Sequence, residues 1–363
     1  MKKGLSKIMA IMVVSLFCVT AFVAVVLDDD SSASSTVTHK MYIEIIGGDA
    51  LVDSTQWIAF ESNDTPADFA EKATAAAEKY GLADFKITYS GEGDYLTVSY
   101  GNDPATSGNV ACFYVKDGAW TAANKTAQEY PSAEIVGFAV GGWISKAVYD
   151  ALTDANKAKY DNTVGFDDTW YARKILDAKV TDAPSIVTYH YFLELFDDKG
   201  KVEKSKWVTF DSLQTATSVV VDANQAFKDA GWEKATLKLK PDKSAISMVY
   251  EGGTGNNASA YVKDDKWEHV TDTLDQYVNY TTVCLAYEGY ISSAIYDTLS
   301  DSDKENWIFD FEWKGTSYYY TKVTEPVNGW EKKDNNLVLY IVIGVVAVVA
   351  IAAIAFFLMK KKA

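Results

Sequence analysis

The sequence predicts an α+β fold that occurs twice. Three observations carry this. The stretch Gly142 to Tyr160, GWISKAVYDALTDANKAKY, returns 147 residues later as Gly289 to Trp307, GYISSAIYDTLSDSDKENW, with nine of nineteen positions identical. Unrelated stretches match at about one position, so an internal duplication is the direct reading. Upstream of each copy, short alternating or β-branched runs are interleaved with one helical pattern. Finally, the chain begins and ends with uncharged apolar runs that leave a polar middle between them.

The middle is organised as 36–184 for the first copy and 185–326 for the second, each about 145 residues, followed by a tether at 327–336. Tyr42-Ile-Glu-Ile-Ile46 and Trp57-Ile-Ala-Phe60 flank the turn signal Gly47-Gly48-Asp49 and read as a hairpin. The second copy repeats it as Phe192–Phe196 and Trp207–Phe210, with Asp197-Asp198-Lys199-Gly200 at the turn. A helix follows, capped by Thr65, with Pro66 at its first position, Asp68 in the first turn and Gly81 as its stop. Phe69, Ala73, Ala76, Ala77 and Tyr80 share one face of it. Strands are expected at Phe85–Tyr89 and Tyr95–Tyr100, echoed at Ala235–Leu239 and Ala245–Tyr250. Tyr114–Trp120 is echoed by Tyr261–Trp267 after a three-residue loss in the preceding loop, where length changes are tolerated. In the opening repeat, Ile144–Leu152 reads as a helix and Thr153 as the cap of a short second turn. A closing run aligns Phe166 and Trp170 with Phe309 and Trp313, and Lys179–Thr181 with Lys322–Thr324.

The flanks place this middle outside a membrane. Lys2, Lys3 and Lys7 precede an uncharged run from Ile8 to Leu27, then Asp28–Asp30, so residues 1–35 are expected to be an export signal, cut around Ser32–Ser35, or failing that an anchor. Phe17 before Cys18 excludes a lipoprotein signal, which needs a small residue there. Leu337 to Met359 carries no charge over 23 residues, enough for a helix at about 1.5 Å per residue to cross a core of about 30 Å. Lys360, Lys361 and Lys362 follow, so the tail at 360–363 is expected in the cytoplasm and the ectodomain outside the cell.

The net charge of −16 understates the asymmetry, because the two apolar flanks hold six lysines and no acids and leave the middle at −22. A field of that sign repels nucleic acid, so no nucleic-acid partner is expected. Arg173 is the only arginine, which limits bidentate anion clamps.

No constellation in the sequence carries catalysis. His39, His190 and His269 have no counterparts in the other copy and no ligand spacing. Cys112 and Cys284 fall at non-equivalent places and read as small buried hydrophobes. Asp301-x-Asp303-x-Glu305 with Glu312 imitates a calcium loop, but Asn306 stands where a glycine is needed, and Ser300 with acids in the first turn reads better as a helix start. An enzyme would need acids such as Asp150 and Asp297 to converge in a cleft, although a solvated helix face accounts for both. No catalytic, cofactor or metal residue is therefore expected. Trp57, Trp120, Trp143, Tyr160 and Trp170 have aromatic partners in the other copy and read as core. Tyr318-Tyr319-Tyr320 and Trp330 have none and are the candidates for a ligand-facing or membrane-proximal surface. Glycan acceptors are expected at Asn63, Asn124, Asn257 and Asn279, with Asn257 the best candidate, in the loop after Gly252-Gly253, and Asn279 half-buried.

The hairpin–helix–strand order resembles β-grasp modules of prokaryotic surfaces. The resemblance is one of shape and implies no function. The sequence thus points to a membrane-anchored surface protein with a duplicated acidic ectodomain, acting in adhesion to an extracellular protein or glycan or as an envelope component. The alternative is a receptor that captures a solute or cofactor for a transporter, with one pocket per copy.

Overall fold

The computed structural model describes residues 36–101, 109–123, 127–162 and 170–331. The export signal, the apolar run Leu337–Met359, Asn124 and Phe166 lie outside the described residues. The protein is mixed α+β and mostly sheet, and it divides into two compact units after Ser185. Among the described residues no helix is long and apolar enough to cross a membrane.

In the first unit a hairpin of β1 (Thr36–Ile46) and β2 (Val52–Asn63) leads into α1 (Pro66–Lys79) and a separate hairpin, β3 (Phe85–Ser90) with β4 (Tyr95–Tyr100). A second hairpin, β5 (Val110–Lys116) and β6 (Ala119–Ala122), precedes β7 (Ile135–Val140). The sheet order is β2-β1-β7-β5-β6, with β1 and β7 parallel and the other pairs antiparallel. A parallel pair needs a long crossover, which α1 and the two later hairpins supply.

Both faces of the central strands are covered. His39 and Met41 of β1 turn toward α1, where the His39 ring lies 5.1 Å from Phe69. Tyr42 and Ile46 turn the other way and pack with Ala111, Ala139, Ile175 and Ala178. That second layer comes from β8 (Trp143–Ser145), α2 (Lys146–Ala151), α3 (Asp154–Lys157), β9 (Tyr160–Asp161) and β10 (Trp170–Arg173), where β8, β10 and β9 form a small sheet.

The second unit runs through β11 (Ile186–Phe196), β12 (Val202–Leu213), α4 (Ala216–Asp229), β13 (Ala235–Leu239), β14 (Ile246–Tyr250), β15 (Ala258–Lys263), β16 (Lys266–His269), α5 (Thr273–Val278) and β17 (Thr282–Tyr287). It closes with β18 (Tyr290–Ser292), α6 (Ser293–Tyr296), α7 (Asp301–Lys304), β19 (Trp307–Trp313) and β20 (Thr316–Thr321). Its large sheet is ordered β12-β11-β17-β15-β16 and its small one β18-β20-β19. Ile43 faces Gln56 in β2, and Leu193 faces Lys206 in β12. Tyr189, Tyr191, Leu193 and Leu195 pack on Val219, Ala223 and Phe227 of α4 over a core that includes Trp232.

Local chemistry explains the element ends. Thr65 Oγ1 accepts from the Asp68 amide at 3.4 Å, and Asp68 Oδ2 accepts from the Asn63 amide at 2.6 Å, which satisfies two otherwise orphaned groups at the helix start. Thr215 caps α4 in the same way at 3.3 Å. Gly81 and Gly231 end the two helices at φ +85° and +79°. Phe69, Ala73, Ala76, Ala77 and Tyr80 are buried, as their spacing implies.

Three expectations are corrected. Residues 143–145 are a strand, so the helix in the opening repeat begins only at Lys146. The closing run aligns differently, since Trp170 faces Ser145 while Tyr318 faces Ser292. Tyr318, not Trp313, therefore holds the place of Trp170. The Trp120 indole donates to the Ala178 carbonyl at 2.6 Å and the Trp267 indole to Glu325 at 3.1 Å, so Lys322–Thr324 does not correspond to Lys179–Thr181. Lastly, Trp313 is not core, being 56% exposed.

Candidate binding surface

Each unit hides a carboxylate on the sheet face away from its long helix. Glu44 and Glu194 occupy matching positions in β1 and β11 and are both fully buried. A bare charge there would be costly, and the units meet the problem differently. Beside Glu44 lies Arg173, itself 1% exposed, with Nη2 at 3.3 Å from Oε1, 3.2 Å from Oε2 and 2.7 Å from Asp177 Oδ2. Burial pushes the Glu44 carboxyl up and Arg173 pulls it back. Among the described residues no cation pairs with Glu194; Thr324 Oγ1 donates to Oε1 and the Cys284 thiol to Oε2 at 3.6 Å. Burial raises Glu194, and these two donors only partly oppose it.

The raised group makes a pH prediction. A carboxyl whose folded pKa lies above its unfolded value costs nothing while both states are protonated. The penalty grows as pH rises above the unfolded value, about 4.3, toward the folded one. Glu194→Gln keeps an acceptor for Thr324 and is expected to stabilise the second unit by about 1–3 kcal/mol at pH 7–8, the scale of a poorly satisfied buried group. Near pH 4 the gain vanishes. Hydrogen exchange of β11 in urea at both pH values checks this, and an equal gain at both would overturn it.

These carboxylates are sealed in, so they are structural. The histidines divide. His39 is buried between the Ala133 carbonyl at 2.7 Å and Ser62 Oγ at 2.8 Å, and burial lowers its pKa. His190 stacks on Trp330 at 3.5 Å. His269 Nε2 lies 3.1 Å from the Tyr290 hydroxyl, which donates to Asp310 at 2.8 Å. Cys112 and Cys284 are free. Burial pushes the Cys112 thiol up to about 11 and raises Cys284 as well, so neither is a ready nucleophile. Asp150 is exposed and paired with Lys146 at 2.6 Å, and Asp297 is exposed at the end of α6. The calcium-like residues are divided between α7, which Ser300 caps, and β19. Among the described residues no cluster of three metal-ligating side chains occurs.

The sequons fall at different depths. Asn63 is exposed at the end of β2. Asn257 is half-buried, its amide donating to the Met248 carbonyl at 3.0 Å, and so is less open than its loop position implies. Asn279 is exposed, not half-buried, because it caps the C-terminus of α5.

Two cavities of similar size share one equivalent lining position, Trp143 and Tyr290, and are otherwise lined by non-equivalent residues. The first, about 430 Å³, is walled by Phe113, Trp120, Trp143, Ile175 and Leu176. No ligand is assigned to it. The second, about 440 Å³, lies in the other unit between Asp197, Asp198, Glu203, Glu251, Glu288 and Tyr290.

Tyr290 joins this acidic cavity to the hairpin of β19 and β20. On one face of that hairpin Ile308 pairs with Tyr320, Phe311 with Tyr318 and Trp313 with Thr316. Phe311 stacks on Tyr318 at 5.1 Å, Tyr290 stands 6.0 Å from Phe311, and His269 stacks on Tyr320 at 4.3 Å. The opposite face is held down by Tyr319, which stacks on Tyr296 at 3.9 Å. The result is an aromatic strip with Ile308, Phe311 and Trp313 between 37% and 56% exposed, while Phe309 lies on the opposite face beside Tyr319. Of the residues singled out in the sequence, Tyr318 and Tyr320 belong to the strip, while Tyr319 and Trp330 pack inward. Missed were Phe311, Trp313 and the bulge residue Asp310. The signal was present: Trp307-Ile-Phe-Asp-Phe-Glu-Trp313 has more apolar positions than one buried face can use.

No protein family, curated protein or solved structure matches this chain.

Proposed function

We propose that the chain is a membrane-anchored cell-surface protein whose acidic ectodomain, a tandem duplication of one α+β domain, acts by binding an extracellular partner. The duplication is supported by the repeat at Gly142 and Gly289 and by two sheets with the same strand order and matching register. The anchoring is supported by the apolar run and lysine tail at 337–362.

One observation carries the binding role: the contiguous exposed aromatic strip of β19 and β20. Soluble surfaces rarely leave such a patch uncovered without a use for it. Its position fits an outward-facing role. The chain leaves the unit at Trp330, which stacks on His190 near the start of β11. The hairpin hangs from β18, which follows the far end of β17, where Tyr287 pairs with Leu195. At about 3.3 Å per residue the two ends are roughly 17 Å apart along β11. Solute capture predicts matching pockets, and the two cavities do not match.

A membrane-impermeant amine label on intact cells is expected to mark Lys72 and Lys240, with Lys360–Lys362 marked only after permeabilisation; the reverse pattern overturns the surface reading. The intact protein in nanodiscs, screened against glycans and peptides, is expected to bind a ligand that Trp313→Ala and Phe311→Ala each weaken about tenfold. Ligands indifferent to both substitutions overturn the binding site.

A further inference from the structure

Resting on that reading, we propose that β19 is the docking edge for an extended lysine- or arginine-bearing segment of a partner polypeptide. In the small sheet ordered β18-β20-β19, among the described residues only one side of β19 is paired, which leaves its outer backbone groups for another strand. Strand addition to a free edge supplies main-chain hydrogen bonds, and the side chains beside the edge select the partner.

Charge selects a basic one. From Asp301 to Thr321 there are five acids and two lysines. Asp310 and Glu312 lie on the edge strand itself, where a second copy pairing with it would bring like charges together. The adjoining cavity is walled by five acids and a single lysine, Lys234. Aromatic faces complete the match, since a cation over a ring is attracted by the ring quadrupole. The hairpin already uses this contact on itself, where Lys314 Nζ stands 4.4 Å over the Trp313 ring, and beside it Lys304 of α7 lies 5.5 Å over Tyr296 of α6. A partner ammonium or guanidinium would meet Phe311, Tyr318 and Tyr290 in the same manner, with Asp310 alongside.

The test uses the full chain in nanodiscs of zwitterionic lipid, titrated with three probes: an alternating lysine–valine octapeptide, its lysine-acetylated twin, and cellohexaose. The lysine peptide is expected to bind, to weaken with added salt, and to lose its affinity on acetylation. Trp313→Ala and Phe311→Ala are expected to weaken it about three- to thirty-fold, the range of a cation–π contact. Asp310→Asn with Glu312→Gln should weaken it similarly, while neutralising Glu71 and Glu92 in the other unit leaves it unchanged. N-methylation of alternate peptide amides should abolish binding.

Equal binding of the acetylated twin, equal loss on neutralising Glu71 and Glu92, or survival of the N-methylated peptide each overturns the inference. Cellohexaose bound through Trp313, with no binding of the lysine peptide, overturns it while leaving the binding role intact. No probe depending on Trp313 removes both.

Discussion

Arg173→Met is expected to destabilise the first unit by about 3–5 kcal/mol, the cost of removing one partner of a buried ion pair. The cause is the charge left behind: Glu44 is fully buried, and the remaining donor to it is the Tyr42 hydroxyl at 3.3 Å. The guanidinium also donates to the Lys159 and Lys174 carbonyls, tying β10 to the segment around β9, although each carbonyl keeps a backbone donor, the amides of Lys174 and Leu176. Combining Arg173→Met with Glu44→Gln removes the charge and should return most of the loss, because an apolar or neutral replacement of a whole buried pair is often tolerated. Hydrogen exchange of β1 and β7 reads out the unit concerned. A double variant no better than the single one would show that the loss comes from packing.

The second large effect belongs to the glycines that open the repeat. A Cβ at Gly142 would lie 2.4 Å from the Ala139 carbonyl oxygen and 2.8 Å from the Ala139 Cβ. At Gly289 the Ala286 carbonyl and Cβ would both be at 2.8 Å. Neither neighbour can rotate away, so the turn itself must move. It cannot move freely, because Gly142 O accepts from the Arg173 amide at 2.6 Å and Gly289 O from the Thr321 amide at 2.9 Å. Alanine at either position is expected to cost about 1–3 kcal/mol, more at Gly142 where the approach is closer. Gly48→Ala, with open space around it, serves as the neutral comparison. Thermal unfolding of the three variants checks the order, and equal loss at Gly48 would remove the steric account.

Much of the fold is legible in the sequence because the relevant signals are local. Thr65 with Pro66 and Asp68 starts a helix through contacts within five residues, and Gly81 ends it through its own backbone freedom. Period-two runs mark the strands, since successive side chains fall on opposite faces. The pattern loses clarity where both faces are covered: in β11 every residue from Tyr191 to Phe196 is buried, so alternation disappears. Alignment also fails across β19, where a bulge between Phe309 and Phe311 shifts every later residue by one.

The candidate surface was half legible. Tyr318-Tyr319-Tyr320 stands out in the sequence as a run, yet Tyr318 takes the place of Trp170, and Tyr319 points the other way and is covered by Tyr296. Trp313 resembles a core residue in one dimension and is exposed in three.

The sequence by itself determined the first hairpin of each unit, the capped long helix that follows it, the repeat, the acidic balance and the apolar ends, because each depends on residues near one another in the chain. Only the tertiary structure decided that Arg173 reaches Glu44 across 129 residues and that Thr324 reaches Glu194 across 130. It alone decided that one face of β19 stays open beside an acidic cavity. Burial and charge pairing are settled by which distant strands pack together, and no local pattern records that.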